Sequence, residues 1–287
     1  MRKLVSILVF FAGLYAALLP ARAQEPTSSG SRSPMLSIFK ENYVTAGIPL
    51  NARPDWDTND MTFQISIRYN AMQNIAGKDW NLFLGYTQLS VWDVFKPSNP
   101  FRSNIYMPGL YAYHPFRRDA YGVVNDLLLS LEHRSNGYDG ATSRSIDCLA
   151  ATYTHTFAGR FTAQVTGRFG IGSIYNDFSL EMFNRYQGYV NLGFCYHTPD
   201  RRFMATASVT PLFAGDIPAN VQAEVAYRPD IGIAGAAGRD WFYIVARYHY
   251  GYDENQLDCA VPDVFLKHMV RFGLAVMPGR LSHKLCF

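Results

Sequence analysis

Alternation of apolar and polar residues with period two recurs along most of the chain and constrains its fold more than any other feature. In "TFQISIRY", Phe63, Ile65, Ile67 and Tyr69 fall on one face and Thr62, Gln64, Ser66 and Arg68 on the other. "FTAQVTGRF" repeats this with Phe161, Ala163, Val165 and Phe169 against Thr162, Gln164, Thr166 and Arg168, as do "VQAEVAY", "FYIVARYHY" and "VRFGLAV". Successive side chains of a strand point to opposite faces, so each run reads as a strand with one apolar and one polar side. Turn clusters such as "HTPDRR" (197–202) and "PGR" (278–280) separate them. The pattern predicts twelve strands, near 37–48, 62–70, 81–93, 104–114, 122–135, 143–157, 160–173, 185–197, 202–214, 219–229, 239–251 and 265–277.

Composition says what the apolar faces meet. Charged residues make up 17 % of the chain and aromatics 15 %, whereas about a quarter of a soluble domain is charged. The N-terminal "MRKLVSILVFFAGLYAALLPARA" combines Arg2 and Lys3, an apolar run and a small-x-small ending, so residues 1–23 read as a secretory signal peptide cleaved before Gln24. Residues 24–36 read as a flexible polar lead-in. No later segment has the roughly 18 consecutive apolar residues of a spanning helix. Only helices and closed barrels satisfy every backbone group inside a bilayer. The expectation is therefore an all-β fold, a twelve-stranded antiparallel transmembrane β-barrel over 37–287 in the bacterial outer membrane, with polar faces lining the lumen and aromatics at the interfaces.

Charge excludes a nucleic-acid partner. Removing residues 1–23 takes away Arg2, Lys3 and Arg22, leaving 26 − 3 = 23 basic residues against 23 acidic ones, with no basic run interleaved with aromatics. The four cysteines, Cys148, Cys195, Cys259 and Cys286, match no metal module; either Cys259–Cys286 forms a bridge near the last hairpin or all four are free thiols.

Polar residues interrupt the apolar face in "VNDLLLSLEHRS". Leu127, Leu129, Leu131, His133 and Ser135 share one face, and Asp126, Ser130, Glu132 and Arg134 the other. The leucines mark the first face as the lipid side, so His133 and Ser135 are expected to point out of the barrel. If the chain folds back about Gly140, residues pair so that their numbers sum to about 280, setting Ser135 opposite Ser145 and His133 opposite Asp147. A hydroxyl, an imidazole and a carboxylate on one face suit nucleophilic acyl transfer, in which His133 takes the Ser135 proton and Asp147 orients the imidazole. A polar side chain aimed at lipid is costly, and such costs are retained where they serve function. On an exterior wall, the substrate is one already in the membrane.

These residues also resemble a known family. "EHRSNGYDGATSRS" is similar to the H-x-S-N-G block and T-S-R-S segment of the outer membrane phospholipase A family, and "FKENYVTAG", "FQISIRY", "LGYTQLSVWDVF" and "NPFRSNIYMPGLY" look like its segments in the same order. The resemblance covers most of the mature chain. It implies a phospholipase of A1/A2 type, dependent on calcium and active as a homodimer on membrane phospholipids. It further implies Ser135 as nucleophile, His133 as general base, Gly137 as oxyanion donor, and Ser143 (hydroxyl) and Tyr138 (carbonyl) as calcium ligands. Asn99 would give a carbonyl to the partner's calcium, and Gln88 in "YTQ" would lie in the dimer interface. The family usually has asparagine where this chain has Asp147. Gly140 stands where an acidic residue is expected, leaving Asp177 in "IYNDF" as the candidate ligand of a second calcium site. A passive channel and a lipid acyltransferase are the alternatives.

Overall fold

A computed structural model describes residues 35–140, 143–172, 185–213, 216–229, 242–252 and 266–277. The signal peptide, the lead-in up to residue 34, Asp177, Cys259 and Cys286 lie outside the described residues.

The described residues form one antiparallel sheet of segments β1 (Leu36–Ile38), β2 (Asn42–Pro49), β3 (Asp60–Ile75), β4 (Trp80–Trp92), β5 (Phe101–Asp119), β6 (Gly122–Ser135), β7 (Ser145–Phe157), β8 (Phe161–Gly172), β9 (Val190–His197), β10 (Phe203–Pro211), β11 (Ala219–Tyr227), β12 (Phe242–Tyr252) and β13 (Leu266–Val276). Neighbours in sequence pair as hairpins, β13 pairs with β2, and β3 pairs with both β2 and β4, so the sheet closes. β1 and β2 lie end to end along β3 and make one stave, giving a closed barrel of twelve.

The first stave is not the continuous strand expected over 37–48. Leu36 pairs with Tyr69 but Tyr43 with Gln64, a two-residue shift in register across 39–41. Phe39, Lys40 and Glu41 are all turned in and buried. Ser66 holds the break: its carbonyl accepts from Phe39 N at 3.3 Å, its hydroxyl from Lys40 N at 3.1 Å, and its own N–H donates to the Asn42 side chain. The stave expected from 185 also begins later. Arg185 and Tyr186 form a helical turn in which Tyr186 packs on Leu212 and Tyr252, and β9 starts at Val190.

Connections 76–79, 120–121, 158–160 and 198–202 are short and lie at one end, while 50–59 and 93–100 lie at the other with 136–144. Short turns are periplasmic in such barrels and longer loops extracellular. Aromatics cluster near the short-turn end, with Trp80 stacked on His114 at 4.7 Å and Phe161 against Tyr196 at 4.9 Å, as an interfacial belt requires.

Ion pairs line the lumen, and inward glycines give the long side chains room. Asp60, Gly47 and Arg271 form one register row across β3, β2 and β13. A Cβ on Gly47 would lie 2.7 Å from Arg271 Cγ, so only glycine lets the arginine cross β2 to Asp60. Fully buried Asp60 accepts from Arg271 Nε at 3.3 Å and Lys267 Nζ at 3.1 Å, with Arg102 Nη1 at 3.5 Å. One stave further along the same register row, Arg247, paired with Arg271, bridges Glu224 and Glu41 and lies over the Tyr43 ring. Removing one partner of such a buried group is strongly destabilising. Asp60→Ala is expected to cost about 3–5 kcal/mol, read as a lowered urea midpoint for the detergent-solubilised barrel. An unchanged midpoint would show that the seam does not depend on this carboxylate.

Candidate active site

Ser135 ends β6 on the extracellular side, and β7 returns beside it. The hairpin register pairs Ser135 with Ser145 and His133 with Asp147. Burial alternates along β6 so that Glu132 and Arg134 face the lumen and His133 and Ser135 face out, in line with Leu127, Leu129 and Leu131. His133 Nδ1 and Asp147 Oδ1 are 2.7 Å apart, both half-exposed on the outer wall. That bond fixes the ring and leaves Nε2 as the nitrogen able to serve the serine.

The inward residues of the same strand anchor it. Glu132 accepts from Tyr111 OH at 2.6 Å, Arg134 Nε at 2.7 Å and Lys40 Nζ at 3.2 Å. Tyr111 reaches it by lying over Gly85 and Gly109, where a Cβ would come within 2.6 and 2.8 Å of its ring. Phe39, from the broken first stave, packs edge-on against Tyr111 and Phe83. Arg134 also donates to Gln187 Oε1 at 3.1 Å, tying β6 to the segment before β9. The interrupted stave therefore acts as an internal buttress behind His133.

The loop after β6 is organised by Asn136, a residue not singled out in the sequence. Its buried side-chain oxygen accepts from Tyr138 N at 3.2 Å and Arg144 N at 3.0 Å, while its own N–H donates to Arg144 O. Tyr138 and Ser143 are thereby held at the two sides of one closed loop. An asparagine beside a glycine was the available signal, since its side chain readily bonds nearby backbone in turns. Gly137 has φ +74°, and a Cβ there would lie 2.6 Å from the ring of Tyr106, which pairs with Ser135 across β5. Tyr106 is a second neighbour missed, because its contact needs the β5–β6 register. The Ser135 hydroxyl accepts from Gly137 N–H at 3.2 Å, and among the described residues no hydrogen bond joins it to His133.

The structure does not bring every candidate together. Asn99 lies in the β4–β5 loop with φ +47°; its carbonyl accepts from Trp92 Nε1 at 2.9 Å and its N–H donates to Lys96 O at 3.1 Å. Asp93, paired with Arg102 and with Lys96 at 3.0 Å, clamps that loop. Gln88 points outward, receives Tyr86 OH at 3.2 Å and donates to Ser90 Oγ at 3.1 Å. Cys148 and Cys195 are buried free thiols.

The Phospholipase A1 family profile matches residues 34–260. The chain belongs to that family. Among curated Phospholipase A1 proteins, that of Salmonella typhimurium is 32 % identical over 165 residues, 56 % of this chain and 54 % of that protein. That of Escherichia coli K12 is 30 % identical over 155 residues, 52 % and 50 % of the two chains. The chain thus spans about half the length of the curated relatives it matches. Two solved structures share its fold at 21 % identity: outer membrane phospholipase A from Escherichia coli (TM-score 0.68, covering 85 % of this chain and 94 % of that one) and the Salmonella typhi outer membrane phospholipase dimer with bound calcium (TM-score 0.69, 92 % and 98 %). This Phospholipase A1 family member is a transmembrane barrel of the bacterial outer membrane.

Proposed function

We propose that the chain is a calcium-dependent outer-membrane phospholipase, active as a homodimer, that hydrolyses acyl esters of glycerophospholipids. The reading rests chiefly on the His133–Asp147 pair at 2.7 Å on the lipid-facing wall, two residues along the strand from Ser135. Neither partner of that pair is buried there, and family membership supplies the chemistry that would use them.

Ser135 Oγ first rotates from the Gly137 N–H toward His133 Nε2. That one rotation also releases the N–H to serve as an oxyanion donor. His133 removes the hydroxyl proton as Oγ attacks the ester carbonyl, and Asp147 steadies the imidazolium. Collapse expels the glycerol oxygen, which takes the proton from His133. Water, deprotonated by the same imidazole, then cleaves the acyl-enzyme and releases the fatty acid.

The residues present suit calcium, which takes carbonyl and hydroxyl oxygens. The Ser143 hydroxyl and Tyr138 carbonyl, on the loop closed by Asn136, would hold it together with the Asn99 carbonyl of a second copy, whose backbone turn Trp92 and Lys96 fix. A bound ion would supply positive charge beside the developing oxyanion. That would make activity depend on dimerisation, with Gln88 in the interface; Asp177 stays the candidate for a second site.

Incubation with a long-chain alkyl phosphonate directed at serines should label Ser135 stoichiometrically, located by peptide mass spectrometry. Label on another serine would sink the assignment. Product analysis separates hydrolysis from acyl transfer: free fatty acid accumulates in the first case and newly acylated lipid in the second.

A further inference from the structure

The outer wall carries a second polar cluster at the other end of β6 and β7. Asn125 lies two residues before Leu127 on the outward face and pairs with His155, while Tyr153 pairs with Leu127. His155 Nδ1 donates to Asn125 Oδ1 at 2.8 Å, and Asn125 Nδ2 donates to the Tyr153 hydroxyl at 2.9 Å. The tyrosine's own proton and His155 Nε2 are left to serve a ligand. β5 adds charge by breaking register twice. Pro115 pairs with inward Asp126, then Phe116 is skipped and Arg117 pairs with Asn125; Val124 is skipped in turn and Arg118 pairs with Val123. Such irregularities re-aim side chains. Strict alternation would send one of two successive arginines into the lumen, whereas both stand opposite outward residues and both are exposed. Among the described residues neither arginine pairs with a carboxylate. The nearest acid in sequence, Asp119, accepts from Tyr121 N at 2.7 Å across the turn.

We propose that this cluster binds the phosphate of an anionic phospholipid in the periplasmic leaflet. Depth points to that occupant. Ten residues separate Asn125 from Ser135 on β6, ~34 Å along a strand, and a tilt of about 40° turns this into ~26 Å, close to the ~25 Å apolar band of such barrels. The two polar clusters therefore sit at opposite headgroup levels, with outward Leu127, Leu129 and Leu131 between them. At the short-turn level the wall meets lipid phosphates, and guanidinium groups grip phosphate through paired hydrogen bonds. Exposed Phe116 and Phe157 flank the cluster, with Phe157 edge-on to His155 at 4.0 Å, and offer apolar surface to the head of the acyl tails. A soluble anion would bring charge but nothing to cover those rings. The site lies a membrane's thickness from Ser135, so binding there is separate from ester hydrolysis.

Native mass spectrometry of the detergent-solubilised barrel with ether-linked lipids tests the idea, since no esterase cuts an ether. The parent should hold ether-linked phosphatidylglycerol about tenfold more tightly than ether-linked phosphatidylcholine. Arg117→Gln/Arg118→Gln should lose that preference, and Tyr153→Phe, which removes one hydroxyl, should weaken it. Arg201→Gln/Arg202→Gln takes the same charge from the same end of the barrel, at the β9–β10 turn, and should keep it. No preference in the parent, or equal loss in the two double variants, would reveal only a diffuse basic rim and overturn the site. Displacement of the lipid by an equal concentration of inorganic phosphate would overturn the lipid as occupant. Each outcome is read without turnover, so it is distinct from any failure of the proposed function.

Discussion

Ser135→Ala eliminates measurable ester hydrolysis, with kcat falling by about four to six orders of magnitude, and His133→Ala does nearly the same. The two losses do not add, because nucleophile and base act in one step: the double variant is as inactive as either single one. Both side chains point outward at the end of β6, away from the Glu132–Arg134–Tyr111 anchorage, so neither substitution disturbs packing. Unfolding midpoints therefore match the parent. Asp147→Asn keeps an oxygen acceptor for His133 Nδ1 while removing its charge, and costs far less than either. The check is a fatty-acid release assay in mixed micelles with the parent and four variants side by side. Retention of activity by Ser135→Ala would end the acyl-enzyme mechanism.

Chelation of calcium comes second in size. Losing one stabilising contact to an oxyanion costs about 10²–10³ in kcat, and excess chelator is expected to have that effect, reversed by added calcium. Ser143→Ala shifts the calcium titration to higher concentration while leaving the fold intact, since the barrel closes through strand pairing, and Asp60 joins Lys267 and Arg271 on staves away from that loop. Dimer fraction, followed by crosslinking in the same samples, should rise with calcium in the parent and lag in the variant. Full activity in chelator would remove the ion from the mechanism.

Much of this was legible in the sequence because a bilayer makes parity unforgiving. A one-residue slip moves every side chain of a strand to the other face, so the outward leucines of β6 fixed where His133 and Ser135 point, and the hairpin sum near 280 gave their partners. The lumen hid what was not read. Residues 37–48 were expected as one strand, yet Phe39, Lys40 and Glu41 all turn inward, because their partners, Phe83, Tyr111, Glu132 and Arg247, come from staves distant in sequence. The use of Gly47, Gly85 and Gly109 appears only when Arg271 and Tyr111 are seen crossing them. Asn136 was visible as a turn residue, but its hub role depends on Arg144 returning beside it.

The outward placement of His133, Ser135 and Asp147 has a kinetic consequence under the proposed function. Substrate reaches such a site by lateral diffusion, and a second copy meets it by the same route. Both encounters take place in a plane, so the governing quantity is the mole fraction in the bilayer and not molarity in the surrounding water. Diluting proteoliposomes with buffer leaves turnover per protein as it was. Adding plain lipid to thin the protein out lowers it, as the square-law scarcity of pairs in two dimensions takes hold.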